Sequence, residues 1–438
     1  TGVGENALGS TTTGASNTGV GRAVLGSNTT ASNNTAVGDL ALSANTTGAE
    51  NTAIGSGSLD TNTTGQQNTA VGYNTLTNTD TGQQNVAIGR AAMNDNTSGS
   101  NNTGVGYNAL AANTTASGVT AVGHQALTAN TTGTGNVAVG KGSLLLNTTG
   151  SNNVAIGQNS LDACTTGTQN VAVGHDALTA VTTGEKNIGI GTYSGKLITT
   201  GEDNVGIGQQ SLEATTTGDR NIAVGTRALD NNTTANDNVG IGHEALRLTT
   251  TGAGNTAVGS KALDANTTGS NNTATGFNSL GANTTGVVNA AFGRLALSAN
   301  TTGSSNTACG QGALEANTTA DNNTAVGTSS LQANTTGVNN VGIGVTAADA
   351  NTTGSNNTAV GTSAFTTNTT GSNNVAIGLQ SLFGNTTASN NTAVGVNAMV
   401  ANTIGSQHVA IGSHALQKTT TASNNVAIGY LSAEETTT

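Results

Sequence analysis

The chain has 438 residues, among them 63 glycines but no proline or tryptophan, and only 8% of its residues are charged. Its formal net charge of −11 disfavours a nucleic acid or an anionic membrane as partner, because both require a basic surface. The sequence holds no apolar run close to the roughly 20 residues that a membrane-spanning helix needs. Abundant Gly, Ser, Thr and Asn is typical of disordered chains, so any order must show in how these residues are arranged.

The arrangement is periodic. Every seventeenth residue from Gly4 to Gly429 is glycine, with no insertion or deletion between them. A disordered chain has no reason to keep glycine in phase, so the period predicts one continuous repeat domain over residues 1–438. Residue 1 is a threonine inside a repeat and no signal peptide precedes it, so we expect the chain to be a fragment of a longer protein.

The first half of each repeat predicts a short strand. We number the repeat so that Asn34 is position 1 and Gly38 is position 5. Position 2 is mostly Thr, Val or Ile, position 3 is Ala or Gly, and position 4 is mostly Val or Ile. This alternation predicts that positions 2 and 4 face the core, while the small residue at position 3 faces outward against a close neighbour. Glycine at position 5 then turns the chain, by a positive φ or by admitting a nearby backbone.

The second half predicts another strand and a polar corner. Positions 6 and 7 vary, position 8 is usually Ala or Ser, position 9 is mostly Leu and position 11 is often Ala. Positions 8 to 11 therefore predict a second strand with positions 9 and 11 inward. Positions 12 to 15 form a turn such as Asn62-Thr63-Thr64-Gly65. Two strands and two corners per repeat predict an all-β fold, a parallel β-solenoid of about 25 coils with 17 residues each.

Gly195 and Ala348 are two small residues at position 9, where most coils have Leu. Gly195 is followed by Leu197 at position 11, which we expect to fill the core in its place. Ala348 has no such replacement in its coil, which predicts locally looser packing there.

The core of such a coil is thin. About three sizeable side chains per coil, each contributing roughly 2 kcal/mol, oppose an ordering cost on the order of 25 kcal/mol. The small residues at positions 3 and 8 leave flat surfaces for a neighbour. We therefore expect several chains to associate side by side.

The strand motif resembles a known family. Asn85-Val86-Ala87-Ile88-Gly89 and Asn374-Val375-Ala376-Ile377-Gly378 are two copies of N-[TV]-A-[VI]-G. Repeated in this way, the motif is similar to the head repeats of YadA-type trimeric autotransporter adhesins, and to runs in tail-fibre-like proteins of phages and bacteria. The resemblance implies a left-handed parallel β-roll, a homotrimer, and adhesion at a cell or virion surface. This chain differs from the family in its longer repeat with a fixed NTTG turn.

The candidate recognition residues share one corner of the repeat. All four tyrosines and four of the five histidines fall at position 6 or 7, where amphipathic side chains are suited to recognition. A corner that merely tolerates bulk explains the same distribution. The candidate residues are Tyr73, Tyr107, His124, His175, Tyr193, His243, His414 and Tyr430.

Sites for metals, cofactors and catalysis are not expected. His124 and His175 lie three coils apart with no carboxylate cluster between them, which disfavours a metal site. The acidic residues are scattered singly, whereas glycoside hydrolysis needs a carboxylate pair, so we expect no enzyme. The cysteines, Cys164 and Cys309, stand at different repeat positions many coils apart, so no disulfide is expected between them.

The Asn-Thr-Thr turns allow two further hypotheses. Asn28, Asn113 and Asn266 match the N-glycosylation pattern, but a hydrogen-bonded turn explains why every copy occupies the same corner. Rows of threonine are also found on ice-binding solenoids, although two adjacent threonines cannot both point outward from a flat strand.

The sequence thus predicts an extracellular structural or adhesive fibre segment, a rigid rod that presents a repetitive surface. Its expected partners are other copies of itself, in a homotrimer or a filament, and an unidentified surface receptor. Its expected location is the cell surface or a virion. The alternatives are a subunit of a helical extracellular filament or phage tail fibre with no enzymatic role, and an ice-binding solenoid.

Overall fold

The protein is a parallel β-solenoid. The structure, a computed structural model, describes residues 1–434, and these contain no helix. The chain divides into two compact units, Thr1–Arg220 and Asn221–Thr438. Each unit is a stack of 17-residue coils in which every coil supplies one short strand. The predicted all-β solenoid of about 25 coils with 17 residues each is confirmed.

Strands of neighbouring coils pair in parallel and in register. Thr35, Ala36 and Val37 lie opposite Thr52, Ala53 and Ile54, which are the residues one repeat further on. The strands of the first unit are β1 Gly2–Val3, β2 Thr18–Val20, β3 Thr35–Val37, β4 Thr52–Ile54, β5 Thr69–Val71, β6 Val86–Ile88, β7 Thr103–Val105, β8 Thr120–Val122, β9 Val137–Val139, β10 Val154–Ile156, β11 Val171–Val173, β12 Ile188–Ile190 and β13 Val205–Ile207. Those of the second unit are β14 Ile222–Val224, β15 Val239–Ile241, β16 Thr256–Val258, β17 Thr273–Thr275, β18 Ala290–Phe292, β19 Thr307–Cys309, β20 Thr324–Val326, β21 Val341–Ile343, β22 Thr358–Val360, β23 Val375–Ile377, β24 Thr392–Val394, β25 Val409–Ile411 and β26 Val426–Ile428.

The strands face the opposite way from the prediction. In β3, Ala36 is fully buried, while Thr35 and Val37 on either side of it are exposed. The core is too narrow for a larger residue at position 3: a Cβ added to Gly104 would lie 2.8 Å from Cγ of Met93, which is at position 9 of the preceding coil. The expectation that positions 2 and 4 fill the core is therefore wrong, and the β-branched residues form an outward face.

The second predicted strand is a turn. Leu40 at position 7 and Leu42 at position 9 have φ angles of 59° and 51°, a left-handed conformation that no β-strand contains. Leu42 does point into the core, as predicted, together with Ala41 at position 8. Position 8 therefore does not offer the expected surface to a neighbour. Position 11 is not the inward one either, because the buried residue in this part of the coil is Asn45 at position 12.

Backbone pairing between coils continues through these turns. The N–H groups of Leu42 and Ala44 donate to the carbonyls of Ser58 and Asp60 in the next coil, each at 3.0 Å. In the other direction, the N–H of Leu40 donates to the carbonyl of Arg22 at 3.0 Å. Most of the coil is thus hydrogen-bonded to its neighbours although only three of its residues are a strand, which explains how so little regular structure supports the fold.

The invariant glycine satisfies both of its predicted roles. Gly38 has a φ of 133°, which side-chain-bearing residues rarely adopt, and a Cβ placed there would lie 2.5 Å from the carbonyl oxygen of Gly55. Stacked glycines at position 5 therefore allow the backbones of adjacent coils to meet without a side chain between them.

Two rows of buried asparagine connect the coils. Asn34, at position 1, donates from Nδ2 to the carbonyl of Gly48 at 3.0 Å, and its Oδ1 accepts from the N–H of Asn51 at 2.9 Å. Asn45, at position 12, donates to the same Gly48 carbonyl at 2.9 Å and to Oδ1 of Asn28 at 3.0 Å. The interior therefore contains two rows of amides, most of them hydrogen-bonded from coil to coil, while Oδ1 of Asn62 and Oδ1 of Asn147 are buried without a partner.

The potential glycosylation asparagines belong to the position 12 row. Asn28, Asn113 and Asn266 are fully buried, and each donates from Nδ2 to the carbonyl three residues later. The geometry thus favours the hydrogen-bonded turn, in which the asparagine is an interior residue.

The position 12 row is interrupted where the core changes. Cys164, Val181 and Ile198 replace its asparagines in three successive coils, and all three are buried. A Cβ added to Gly195 would lie 3.0 Å from Cδ1 of Ile198, so Ile198 occupies the space that a leucine at position 9 would fill. The expectation that Leu197 fills this space is wrong, since its side chain is 45% exposed.

Candidate functional site

The corner at positions 6 and 7 projects directly after the stacked glycines. Tyr73, Tyr107, His124, His175, His243 and Tyr430 are at position 6, and Tyr193 and His414 are at position 7. Tyr73 and Tyr107 are 54% and 41% exposed, so the rings lie on the surface of the coil. The turn holds position 7 in the left-handed region, with φ values of 60° at both Tyr193 and His414.

Neighbouring coils bring some of these side chains into contact. The rings of Tyr107 and His124 stack with a centroid separation of 5.2 Å and an interplanar angle of 18°. The guanidinium carbon of Arg90 lies 5.9 Å from the ring centroid of Tyr73 and 5.7 Å from that of Tyr107. Tyr73, Arg90, Tyr107, His124 and Lys141 occupy position 6 in five successive coils, and we call them the tyrosine–arginine row.

The other candidates form pairs rather than a continuous surface. His175 meets Tyr193 edge-on at 5.7 Å, and the ammonium of Lys196 lies 4.5 Å from the Tyr193 ring centroid. His414 meets Tyr430 edge-on at 6.3 Å. His243 has a carboxylate partner instead, with 3.8 Å between its Nδ1 and Oε2 of Glu244. The eight predicted residues are thus distributed over separate places along the two units.

The cations of this corner were not among the predicted recognition residues. Arg90 and Lys141 stand at position 6, seventeen residues from Tyr107 and His124 respectively. Reading position 6 as one column of the repeat, instead of selecting rings only, identifies both of them.

Charge is distributed unevenly around the tyrosine–arginine row. Between residues 68 and 152 the only acidic residues are Asp80 and Asp95. Asp95 accepts hydrogen bonds from the side-chain amides of Asn78 and Asn94, and Asp80 accepts one from the hydroxyl of Thr63. Two cations, Arg90 and Lys141, balance these two aspartates, so this stretch is formally neutral within an acidic chain.

The outward sheet face, formed by the side chains at positions 2 and 4, is the second distinctive surface. Val37, Ile54, Ile88 and Ile156 at position 4 of the first unit are each about two-fifths exposed, and Ile241 at position 4 of the second unit is exposed to a similar extent. No charged residue stands at position 2 or 4 in any coil. An exposed apolar face of this kind is a candidate interaction surface.

The two cysteines differ in environment. Cys164 is buried, and burial raises the pKa of its thiol to about 11, so the reactive thiolate is scarce at neutral pH. Cys309 is exposed at position 4 on the outward sheet face. Both are free thiols.

Residues 1–434 show no other concentrated chemistry. They contain no group of three or more His, Cys, Asp or Glu side chains arranged to hold a metal ion, and their surface has no cavity. Among the same residues, no helix is long and apolar enough to cross a membrane. The available chemistry is therefore that of an open, repetitive surface.

No protein-family model matches this chain, and no curated protein matches it either.

Proposed function

We propose that this chain is a structural segment of an extracellular fibre, in which several copies pack together through the outward sheet face. The observation that supports this is the row of exposed Val and Ile at position 4, exemplified by Ile54 at 41% exposure. Monomeric soluble proteins rarely expose contiguous apolar patches larger than about a few hundred Å². A partner that covers the row removes this apolar surface from water.

Another copy of the chain is the partner that fits this face best. The face repeats the same residue types at the same spacing, so parallel copies in register meet like residues at each coil. It contains no charge that would repel an identical surface. The resemblance to trimeric adhesin heads makes a closed bundle of three the expected arrangement. The charged and aromatic residues remain outside such a bundle, where their repetition gives a surface receptor many weak contacts.

The test is to introduce charges on the outward sheet face and to measure the mass of the particle. Ile156→Glu/Ile207→Glu introduces two carboxylates on the outward sheet face, and burying them against another copy is costly. Its matched control, Gln158→Glu/Gln209→Glu, adds the same charge at position 6 of the same two coils. We expect light scattering to give a multimer of fixed mass for the parent and the control, and monomers for the isoleucine variant.

A monomeric parent chain would overturn the proposal. A mass that grows with concentration, without a plateau, would instead support the helical filament, in which copies add without closing.

Ice binding is a second candidate, favoured by one observation. Thr18, Thr35, Thr52 and Thr69 occupy position 2 in four successive coils and stand on the outward sheet face. The threonines of the NTTG turn fit this function less well, because hydroxyls such as that of Thr46 donate to the backbone of the next coil. Thermal hysteresis in a solution of the monomeric chain would support this candidate, and its absence would remove it.

A further inference from the structure

We propose that the tyrosine–arginine row, Tyr73, Arg90, Tyr107, His124 and Lys141, binds a linear anionic polysaccharide that carries carboxylate or sulfate groups. The inference rests on the proposed function only in that a fibre would display the row on its surface. All five residues belong to one copy of the chain, so the site does not require the assembly.

The row offers regularly spaced hydrogen-bond donors. Its five side chains are exposed and occupy the same position in five successive coils. Adjacent coils lie about 4.8 Å apart, so the row extends for roughly 20 Å along the stack. Each member ends in a group that donates hydrogen bonds: a phenol, a guanidinium, an imidazole or an ammonium. A polymer lying along the stack meets these donors one after another.

The stacking within the row determines which part of each ring a ligand can reach. Arg90 lies between the rings of Tyr73 and Tyr107, at 5.9 Å and 5.7 Å from their centroids. The other neighbour of Tyr107 is His124, stacked at 5.2 Å. The faces of Tyr107 are thus occupied by its neighbours, and its edge and hydroxyl remain for a ligand. Sites for single-stranded nucleic acid use free ring faces on which bases stack, so this row favours a ligand held by hydrogen bonds to anionic groups.

The cations of the row are available to a ligand. Arg22, Arg227 and Arg247 each form an ion pair with a carboxylate. Neither Arg90 nor Lys141 takes part in any of the ion pairs found among residues 1–434. The contacts to Tyr73 and Tyr107 hold the Arg90 guanidinium in place without neutralising it, so less freedom is lost when an anion binds.

Among the ion pairs found in residues 1–434, none joins the two local acids to these cations. Asp95 is at position 11 and is engaged by the amides of Asn78 and Asn94, while Asp80 is at position 13 and is engaged by Thr63. No cavity accompanies the row within the described surface, which disfavours a small molecule and suits a polymer that makes several weak contacts.

The experiment is a binding titration of the full chain against polymers that differ in charge. Labelled dextran sulfate and polygalacturonate are the anionic probes, and uncharged dextran of the same length is the neutral one. We expect both anionic polymers to bind, more weakly as salt is added, and the neutral dextran not to bind. Arg90→Gln should weaken the binding of dextran sulfate by about tenfold, the loss of one charge-assisted contact.

A matched variant distinguishes binding at the tyrosine–arginine row from a general effect of losing one positive charge. Arg294→Gln also removes one exposed cation at position 6, in a coil whose neighbours at that position are Phe277 and Gln311, and should change the affinity by less than about twofold. Equal losses in the two variants, or no binding of either anionic polymer, would overturn the proposal. Single-stranded DNA of similar charge that binds as tightly as dextran sulfate would also overturn it, in favour of a nucleic acid.

Light scattering on the same samples distinguishes a failure of the polysaccharide site from a failure of the fibre proposal. Arg90 lies off the outward sheet face, so Arg90→Gln should leave the mass of the particle unchanged. A multimer that binds no polysaccharide contradicts only the polysaccharide site, whereas a monomer that binds it contradicts only the fibre.

Discussion

At the scale of single residues, His408 shows how strictly the buried amide rows are specified. It takes the place of asparagine at position 1 and is 1% exposed. Its Nδ1 accepts from the N–H of Asn425 at 3.1 Å, and its Nε2 lies 2.6 Å from the carbonyl oxygen of Ala422. Since a carbonyl can only accept, Nε2 carries the proton and the ring is neutral. The imidazole thus reproduces both hydrogen bonds of the asparagine that it replaces.

This geometry makes the stability of the second unit depend on pH. Burial is the main cause that lowers the pKa of His408 below its usual value near 6.5. The unfolded chain therefore takes up the proton first as the pH falls. The free energy of unfolding should be highest above about pH 6.5, decrease below it, and level off once the pH passes the folded pKa. The decrease amounts to about 1.4 kcal/mol for each unit by which folding lowers the pKa.

His408→Asn should remove this dependence, because asparagine forms the same two bonds without titrating. The measurement is urea denaturation between pH 5 and 8, with the exposed His124→Asn as control. A variant at position 408 that keeps the pH dependence of the parent would contradict the assignment.

At the scale of the coil, the period alone was enough to predict the pairing of the strands but not the orientation of their side chains. Strand register follows from identical residues at a fixed spacing, as in Ala36 opposite Ala53. Alternation identifies two faces without saying which is buried, and the rule that β-branched residues lie inside fails here. The interior is only one side chain deep: a Cβ on Gly189 would lie 2.7 Å from Cγ of Leu178. Small residues therefore face inward, opposite leucine.

The left-handed turn is the other local feature that the sequence does not reveal. Leucine at position 9 is not a residue that favours a positive φ, and Leu42 adopts one because the hydrogen bonds to the next coil fix the turn. Hydrogen bonds between coils thus override the backbone preference of leucine. The sequence pattern contains only that local preference, so it predicted a second strand at this place.

Ala348 and Phe365 provide a test of packing between neighbouring coils. They occupy position 9 in adjacent coils, both are buried, and the N–H of Ala348 donates to the carbonyl of Ala364 at 2.9 Å. We expect the large ring to compensate for the small side chain in the row of leucines. Ala348→Leu should then cost about 1 to 3 kcal/mol by overpacking, and Phe365→Leu about 1 to 2 kcal/mol by leaving a void.

The double variant Ala348→Leu/Phe365→Leu restores the usual leucine at both sites. In equilibrium unfolding it should be more stable than the sum of the single effects predicts, by at least about 0.5 kcal/mol. If the changes in the free energy of unfolding were purely additive, the two side chains would not pack against each other. The packing around Ala348 would then be loose, as the sequence predicted.

At the scale of the whole molecule, the candidate surfaces were only partly predictable. The corner at positions 6 and 7 follows from where tyrosine and histidine recur. The stacking of Arg90 between two tyrosines depends on the turn geometry, so the row was not apparent as a unit. The outward sheet face was missed because Val37 and its equivalents were assigned to the core, and self-association was therefore expected through the wrong surfaces.

Cys309 allows the proposed packing of copies to be measured directly. It stands on the outward sheet face, so parallel copies in register bring their thiols together. Mild oxidation should give disulfide-linked dimers on a non-reducing gel. Cys164 should not contribute, because it is buried and its thiol has a pKa raised to about 11.

The control moves the thiol to the corner. Thr328→Cys combined with Cys309→Ser places it at position 6 of the next coil, where we expect little cross-linking. Cross-linking as efficient as in the parent would argue against contact through the outward sheet face, and so would a parent chain that does not cross-link.

The constant spacing also bears on how such a gene can change in length. Because Gly38 and Gly55 stack directly and each asparagine row connects equivalent atoms, a coil is interchangeable with its neighbour. Loss of residues 103–119 would bring Thr120 into the place of Thr103 and keep the backbone register of the remaining coils, although Tyr107 and its contacts with Arg90 and His124 would be lost. Loss of sixteen residues would instead move each following side chain by one position, and residues such as Val122, from position 4, would then stand among the stacked glycines of position 5. Unequal recombination between repeats can therefore lengthen or shorten the protein by whole coils, while other frame-preserving insertions and deletions are selected against.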